Sequence, residues 1–116
     1  MRKKYICIET EKLITKVDLS EIIYIEKSGR KAMAVTENEV FSWYRTRAQL
    51  EEDVDDRFLC CHRSYIINMD KITRMEKRKI RMEGGFELYF GKESFRRAML
   101  IFREYVSGEK NDKNND

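Results

Sequence analysis

Short runs of alternating apolar and polar residues, separated by turn signals, occupy most of the chain before its last helix-like stretch. Successive side chains of a strand point to opposite faces, so this period of two residues predicts half-buried β-strands. The Gly84-Gly85 pair between two such runs is a two-residue hairpin signal. We predict strands at Lys4–Glu9, Leu13–Val17, Ile23–Glu26, Lys31–Thr36, Val40–Arg45, Phe58–Cys61, Ile72–Glu76, Lys79–Glu83 and Phe86–Phe90.

Two stretches have the signals of helices instead. Thr46-x-x-Gln49 is a capping box and predicts a short helix that reaches about Val54. Apolar residues recur at three- and four-residue spacing over Phe95–Val106, with Ser94 as the N-cap and Gly108 after the end. The predicted fold class is therefore mainly β, with a short middle helix and a C-terminal helix.

The chain has 116 residues, enough for one domain with a modest core. We assign that domain to residues 1–107 and predict a disordered charged tail over residues 108–116. No apolar run approaches the ~20 residues that cross a bilayer. The start of the chain is basic, but Glu9 and Glu11 interrupt any signal-peptide core. We therefore expect a cytoplasmic protein that does not bind a membrane.

Charge is distributed unevenly along a chain whose net charge is only +3. Residues 1–56 hold 10 basic and 12 acidic side chains, whereas residues 57–110 hold 13 basic and 7 acidic ones. A surplus of positive charge in the second half favours a surface that binds a polyanion.

The segment Phe58–Ile72 contains the most specific polar cluster. Its strand-like start leads His62, Arg63 and Ser64 into a loop, and the chain becomes apolar again at Tyr65–Ile67. An imidazole, a guanidinium and a hydroxyl between two buried anchors are donors that suit phosphate oxygens and base edges. Arg63 is the favoured contact, whereas His62 either braces the loop or contacts phosphate.

Metal and thiol chemistry are disfavoured. Cys60, Cys61 and His62 are adjacent and cannot all turn toward one ion, so we predict neither a metal site nor a cofactor. A small enzyme that uses His62 with Cys61 or Ser64 is a competing class, but the chain has no second histidine. We interpret Cys7, Cys60 and Cys61 as buried structural thiols.

Arg96 and Arg97 follow Ser94 and are therefore predicted to lie in the first turn of the last helix. The helix dipole disfavours cations there by ~0.3–1 kcal/mol, and a bound anion would compensate. Two other basic groups, Arg30-Lys31 and Lys77-Arg78-Lys79, are by themselves interpreted as solvated turns.

These residues resemble the LytTR family, the DNA-binding domain at the C-terminus of many bacterial response regulators. The resemblance extends from about Tyr5 to Val106. The family's I-x-Y-I-E strand is matched by Ile23–Glu26, and its F-x-x-C-H-R-S-Y signature is matched within Phe58–Asn68. The family's late S-R-R motif is loosely matched at Ser94-Phe95-Arg96-Arg97.

The resemblance implies an elongated sandwich of short antiparallel sheets with about ten strands. It also implies that loops, rather than a recognition helix, hold the DNA. Under this resemblance the candidates for contact with base edges are Lys31, Arg63 and Arg96. The candidates for contact with phosphate are Arg30, His62, Ser64 and Arg97.

We therefore predict a sequence-specific regulator of transcription that binds double-stranded DNA and has no catalytic activity. Family members usually carry a receiver domain ahead of this one, and we expect this chain to be a stand-alone, response-regulator-like protein from a bacterial two-component setting. The resemblance implies that a second copy binds beside the first on direct repeats. The alternative among binding proteins is an adaptor that pairs with another LytTR regulator through protein contacts.

Overall fold

The nine predicted alternating runs all contain β-strands, and the structure adds a tenth strand at Tyr65–Asn68 and two helices. The computed structural model describes the backbone of residues 3–114 and the side chains of residues 3–108. The strands are β1 (Tyr5–Glu9), β2 (Ile14–Asp18), β3 (Tyr24–Ser28), β4 (Lys31–Val35), β5 (Val40–Tyr44), β6 (Phe58–Leu59), β7 (Tyr65–Asn68), β8 (Ile72–Glu76), β9 (Lys79–Met82) and β10 (Phe86–Tyr89). The helices are α1 (Arg47–Asp53) and α2 (Lys92–Asn114). All paired strands are antiparallel, so the predicted class, mainly β with ten short strands and two helices, is confirmed.

The chain divides between Lys71 and Ile72 into two compact units. The first contains a two-stranded sheet of β1 and β2 and a five-stranded sheet in the order β5-β4-β3-β7-β6. The second contains α2 and a three-stranded sheet in the order β10-β9-β8. A single domain over residues 1–107 stays a prediction. The sequence also predicted a disordered tail over residues 108–116; α2 occupies residues 108–114 of it, and residues 115 and 116 lie outside the described residues.

The core of the first unit is built from the inward faces of its strands. On β1, Ile6 and Ile8 are buried, and Cys7 between them is exposed on the outer face. The prediction that all three cysteines are buried is therefore wrong, because Cys60 and Cys61 are also only half-buried. The core residues are Ile6, Ile8, Val17, Leu19, Ile22, Ile25, Ala32, Ala34, Trp43, Leu50, Val54, Phe58 and Ile66.

The amide of Asn68 fixes the end of β7 from inside the first unit. Its Nδ2 donates to the carbonyl oxygens of Leu19 at 3.2 Å and Ile22 at 2.9 Å. Its Oδ1 accepts from the backbone N–H of Asp70 at 3.0 Å. Because Asn68 is fully buried, these partners replace the water that the amide loses on folding.

The predicted capping box opens α1. The hydroxyl of Thr46 accepts from the backbone N–H of Gln49 at 3.1 Å, and the side-chain oxygen of Gln49 accepts from the backbone N–H of Thr46 at 3.0 Å. Two N–H groups at the start of the helix thereby gain partners. This part of the prediction is confirmed.

A largely buried ion pair follows α1. Arg57 donates to both carboxylate oxygens of Asp55 at 2.9 Å and to the carbonyl oxygen of Lys3 at 2.8 Å. Burial by itself raises the pKa of Asp55, but the hydrogen bonds and charge of Arg57 outweigh burial and hold that pKa below its ordinary value. The pair ties the start of the chain to the entry of β6.

The hairpin predicted at the Gly84-Gly85 pair is present between β9 and β10. Met82 pairs with Phe86, so the connection has three residues, Glu83–Gly85, rather than the two predicted. Both glycines have positive φ, 84° and 82°, which other residues rarely adopt.

The last helix, α2, begins at Lys92 and continues to Asn114, so it starts before and ends after the predicted positions. The backbone N–H of Phe95 donates to the carbonyl oxygen of Gly91 at 2.9 Å, which places Ser94 inside the first turn. Glycine is itself an acceptable N-cap residue, and this explains why the serine signal misplaced the start. Among residues 3–114, no helix is both long and apolar enough to span a membrane.

Candidate nucleic-acid interface

Strand direction brings three connections to one end of the five-stranded sheet. The Gly29–Arg30 turn joins β3 to β4 at this end. β7 is antiparallel to β3 and pairs Tyr65 with Glu26, so the loop before β7 lies there too. β5 also finishes there, because Tyr44 pairs with Lys31. We call this region the loop end, and it consists of Gly29–Lys31, Arg45–Arg47 and Cys60–Ser64.

Two backbone hydrogen bonds extend the sheet into the loop end. The N–H of Lys27 donates to the carbonyl oxygen of Ser64 at 2.7 Å, and the N–H of Arg45 donates to that of Arg30 at 3.1 Å. Adjacent strands lie ~4.8 Å apart, so β4 and β7, on either side of β3, are separated by roughly 10 Å. The structure therefore brings together two of the three predicted groups, Arg30-Lys31 and His62–Ser64.

His62 braces the loop before β7. Its Nδ1 accepts from the backbone N–H of Ser64 at 3.0 Å. Its ring packs against the ring of Tyr65 with the centroids 5.1 Å apart, and Tyr65 meets Tyr24 edge-on at 6.0 Å. Of the two roles that the sequence left open, the brace is observed, and contact with phosphate stays a prediction. Arg63, between these half-buried neighbours, is exposed.

Arg47 was not predicted as a site residue, yet it holds the same loop from α1. Its guanidinium donates to the carbonyl oxygens of Cys60 at 2.7 Å and Arg63 at 3.4 Å, and it pairs with Glu51 at 2.9 Å. A guanidinium offers five N–H donors in a rigid fork, so one side chain can hold two carbonyl groups. The only sequence signal was a cation directly after the N-cap Thr46, where the helix dipole disfavours positive charge.

A groove crosses the loop end between the β3–β4 turn and the start of α1. Its lining includes Lys27, Arg30, Tyr44 and Arg45. Arg45 is neutralised by Asp53 through two hydrogen bonds at 2.7 and 2.8 Å. Arg30 is exposed and has no carboxylate partner within residues 3–108. Sequence reasoning missed Lys27 and Tyr44, because alternation along a strand does not show which loops its end will meet.

The Cys60 thiol of the loop end is poorly suited to nucleophilic chemistry. Burial raises the pKa of the Cys60 thiol, although the guanidinium of Arg47 opposes that shift. A protonated thiol is a weak nucleophile. Across the part of the chain that the structure describes, no three His, Cys, Asp or Glu side chains are grouped so that they could hold a metal ion.

The third predicted group, Arg96 and Arg97, lies in the second unit. Because α2 begins at Lys92, both arginines are in the second turn of the helix, and the prediction that they lie in the first turn is wrong. The dipole effect falls off within the first turn. Glu93 accepts from Arg96 at 3.2 Å, so the helix supplies a carboxylate for this cation. Both arginines are exposed.

Comparisons with known proteins agree with these motifs. A model of the LytTr DNA-binding domain family matches residues 12–103. This chain belongs to the LytTr DNA-binding domain family. The first two LytTr motifs now have a place in the structure. Ile23–Glu26 contains the first residues of the central strand β3, and Phe58–Asn68 contains β6, the braced loop and β7.

A solved structure has the same LytTr fold. It is described as the LytTr DNA-binding domain of a methyl-accepting/DNA response regulator from Bacillus cereus. The two structures agree with a TM-score of 0.68 over 84% of this chain and 97% of that chain, at 21% sequence identity. At this level of sequence identity, the structural similarity shows that the two proteins share a fold. No curated protein matched the chain.

Proposed function

We propose that this LytTr domain is a transcriptional regulator that binds double-stranded DNA sequence-specifically through its loops, without a cofactor and without catalysis. The observation that supports this function best is the loop end of the first unit. There, exposed Arg63 stands on a loop that His62 and Arg47 hold in place, beside exposed Arg30 and Lys31. A preorganised loop loses little conformational freedom on binding and presents its guanidinium in one position.

We assign the predicted residues to two kinds of contact. Lysine and arginine donate to O6 and N7 of guanine in the major groove, so Lys31, Arg63 and Arg96 contact base edges. Phosphate contacts fix the position of the protein and need no sequence information. These are assigned to Arg30, His62, Ser64 and Arg97.

Two copies of the chain bind the DNA together in this proposal. A single small module buries only about 600–1,000 Å² of its surface on DNA, which is little for tight specificity. A second copy on a direct repeat about one helical turn away lies on the same face of the duplex. The proposal includes a cytoplasmic location and a response-regulator-like role in a bacterium.

Selection from random duplex DNA tests the function directly. We expect enrichment of a defined sequence, and a slope of log K against log salt of about −3 to −5, because three to six phosphates each contribute ~−0.9. Failure to bind any duplex, or an affinity independent of salt, would contradict DNA binding. If the chain then still bound another LytTr regulator, the adaptor would be the better function.

The spacing of the two sites tests the pair. Inserting about five base pairs between them turns one site to the opposite face, whereas inserting about ten restores the face. We expect joint binding to be lost with the first insertion and largely regained with the second. Binding of one copy with full specificity, unaffected by either insertion, would rule out the pair.

A further inference from the structure

The turn between β8 and β9 holds two cations in a backbone conformation that favours other residues. Glu76 pairs with Lys79, so Lys77 and Arg78 are the two central residues of this turn. Their φ angles are 53° and 65°. Two positive φ angles are the mark of a type I′ turn, in which Asn-Gly is preferred. Residues with longer side chains are uncommon there and cost stability.

The cations on the strands of this hairpin have carboxylate partners, whereas, among the described side chains, the cations in its turn do not. Lys77 and Arg78 are exposed, and neither has a carboxylate partner within residues 3–108. The cations on the strands all have one. The strand pairs are Arg74–Glu76 at 3.3 Å, Lys79–Glu87 at 3.7 Å and Arg81–Glu87 at 2.7 Å. Because Lys79 and Arg81 share Glu87, the strands keep one surplus positive charge, whereas the turn carries two, and most of the unneutralised charge lies in the turn.

The turn also lies beside the start of α2 within the second unit. The backbone N–H of Phe90 donates to the carbonyl oxygen of Arg78 at 2.9 Å, and α2 begins at Lys92. A helix rises ~1.5 Å per residue, so Arg97 stands roughly 8 Å along the axis from that start. The turn and Arg97 therefore belong to the same end of the second unit.

We propose that Lys77 and Arg78 form a further phosphate-binding contact to the backbone of duplex DNA. The inference rests on the proposed function and extends it to a turn that the sequence by itself indicates is only a solvated loop. Residues that break a local rule of backbone preference are concentrated at functional sites. Two unneutralised cations on a short, regular turn are suited to phosphate oxygens, which carry no sequence information.

A double variant separates the effect of these residues on stability from their effect on DNA binding. Lys77→Asn with Arg78→Gly supplies the residues that a type I′ turn prefers and removes both charges. We expect the Tm of this variant to rise by a few degrees. Its affinity for the selected duplex should fall about tenfold, its affinity for a mixed-sequence duplex should fall equally, and the salt slope should become shallower by up to about 1.8.

The strands of the same hairpin provide a matched control. Arg74→Gln with Arg81→Gln changes the net charge by the same amount, but at cations that already have carboxylate partners. The inference requires a clearly smaller loss of affinity in this control. An equal loss would show a general effect of charge and would overturn the inference.

Two further results keep the inference separate from the proposed function. If the turn variant keeps the affinity and salt slope of the unaltered protein, the inference is wrong and the proposed function stands. If the unaltered protein binds no duplex, both are wrong. Lys77→Gln with Arg78→Gln retains long side chains in the turn and must show the same loss of affinity, whatever happens to the Tm of the Asn-Gly variant.

Discussion

The loop before β7 and the turn between β8 and β9 both present an exposed arginine, but they are held in opposite ways. Cys60–Ser64 in the first unit is held by residues that are distant in sequence, since Arg47 binds two of its carbonyl oxygens and Lys27 binds a third. The Lys77-Arg78 turn in the second unit is a two-residue link that depends on the pairing of its own hairpin and on one bond from Phe90.

This difference corresponds to two kinds of contact with DNA. A hydrogen bond to a base edge requires a donor in a defined position, which a loop fixed by remote contacts can provide. A phosphate is accessible from many directions and attracts charge over several ångströms, so a locally formed turn is sufficient. We therefore expect substitutions in the first region to change stability and specificity, and substitutions in the second to change mainly affinity.

The largest effect is expected from Asn68→Ala, which removes support for β7, the strand that follows the loop. The substitution removes the amide donor from the buried carbonyl oxygens of Leu19 and Ile22, and Leu19 then keeps only the backbone N–H of Ile22. We expect the free energy of unfolding, measured with urea, to fall by about 3 kcal/mol. Thr73→Ala, which removes one exposed hydrogen bond in the second unit, is the control and should change it by less than about 0.5 kcal/mol. Equal effects would contradict the contrast between the two regions.

The loss of folding stability at low pH should also arise mainly from the first unit. The pKa of Asp55 is depressed in the folded state, so its stabilisation is present above the ordinary aspartate pKa of about 3.9 and is lost as the pH falls through the lower folded value. We expect Asp55→Asn to cost about 2 kcal/mol at pH 7 and to flatten the decline in stability below about pH 4. Glu87→Gln removes two surface ion pairs, with Lys79 and Arg81, and should do neither. Thermal unfolding between pH 2 and 7 measures both.

Arg63→Ala and Arg97→Ala should weaken DNA binding in different ways. Loss of a base contact at Arg63 costs ~1–3 kcal/mol on the selected duplex and relaxes the preference at one position. Loss of a phosphate contact at Arg97 weakens binding to all sequences alike and makes the salt slope shallower by ~0.9. Titration of both variants against a panel of single-base changes distinguishes these outcomes. If both lower affinity uniformly, base contact is wrongly assigned to Arg63.

The smallest effect is expected from Arg47→Lys, which keeps the charge but cannot hold two carbonyl groups with a fork. We expect about 1 kcal/mol of lost affinity for the selected duplex, with the salt slope and mixed-sequence binding unchanged. Hydrogen exchange at the amides of Arg63 and Ser64 should become faster. If exchange there is unaffected, the loop does not depend on Arg47, and the contrast with the second region is weaker than we describe.

Most of the fold could be predicted because its signals are local. Alternation between neighbouring residues predicted nine of the ten strands, and the Thr46-x-x-Gln49 pattern predicted the start of α1. Alternation did not predict β7, whose successive residues Ile66, Ile67 and Asn68 are all buried. Local signals failed where two residues competed for one role, as Gly91 and Ser94 did at the start of α2. They also failed for Cys7, because composition indicates that a cysteine tends to be buried, whereas its position on β1 puts it on the outer face.

By itself, the sequence determined the identity of the loop residues, because His62, Arg63 and Ser64 lie in a motif between two apolar segments. It also determined the family, to which the chain belongs over residues 12–103. Only the tertiary structure decided that Arg30 and Lys31 lie beside that motif, and that Arg47 anchors it. The physical reason is that strand pairing and hydrogen bonds to carbonyl groups join segments far apart in the chain, and no local pattern specifies which segments will meet.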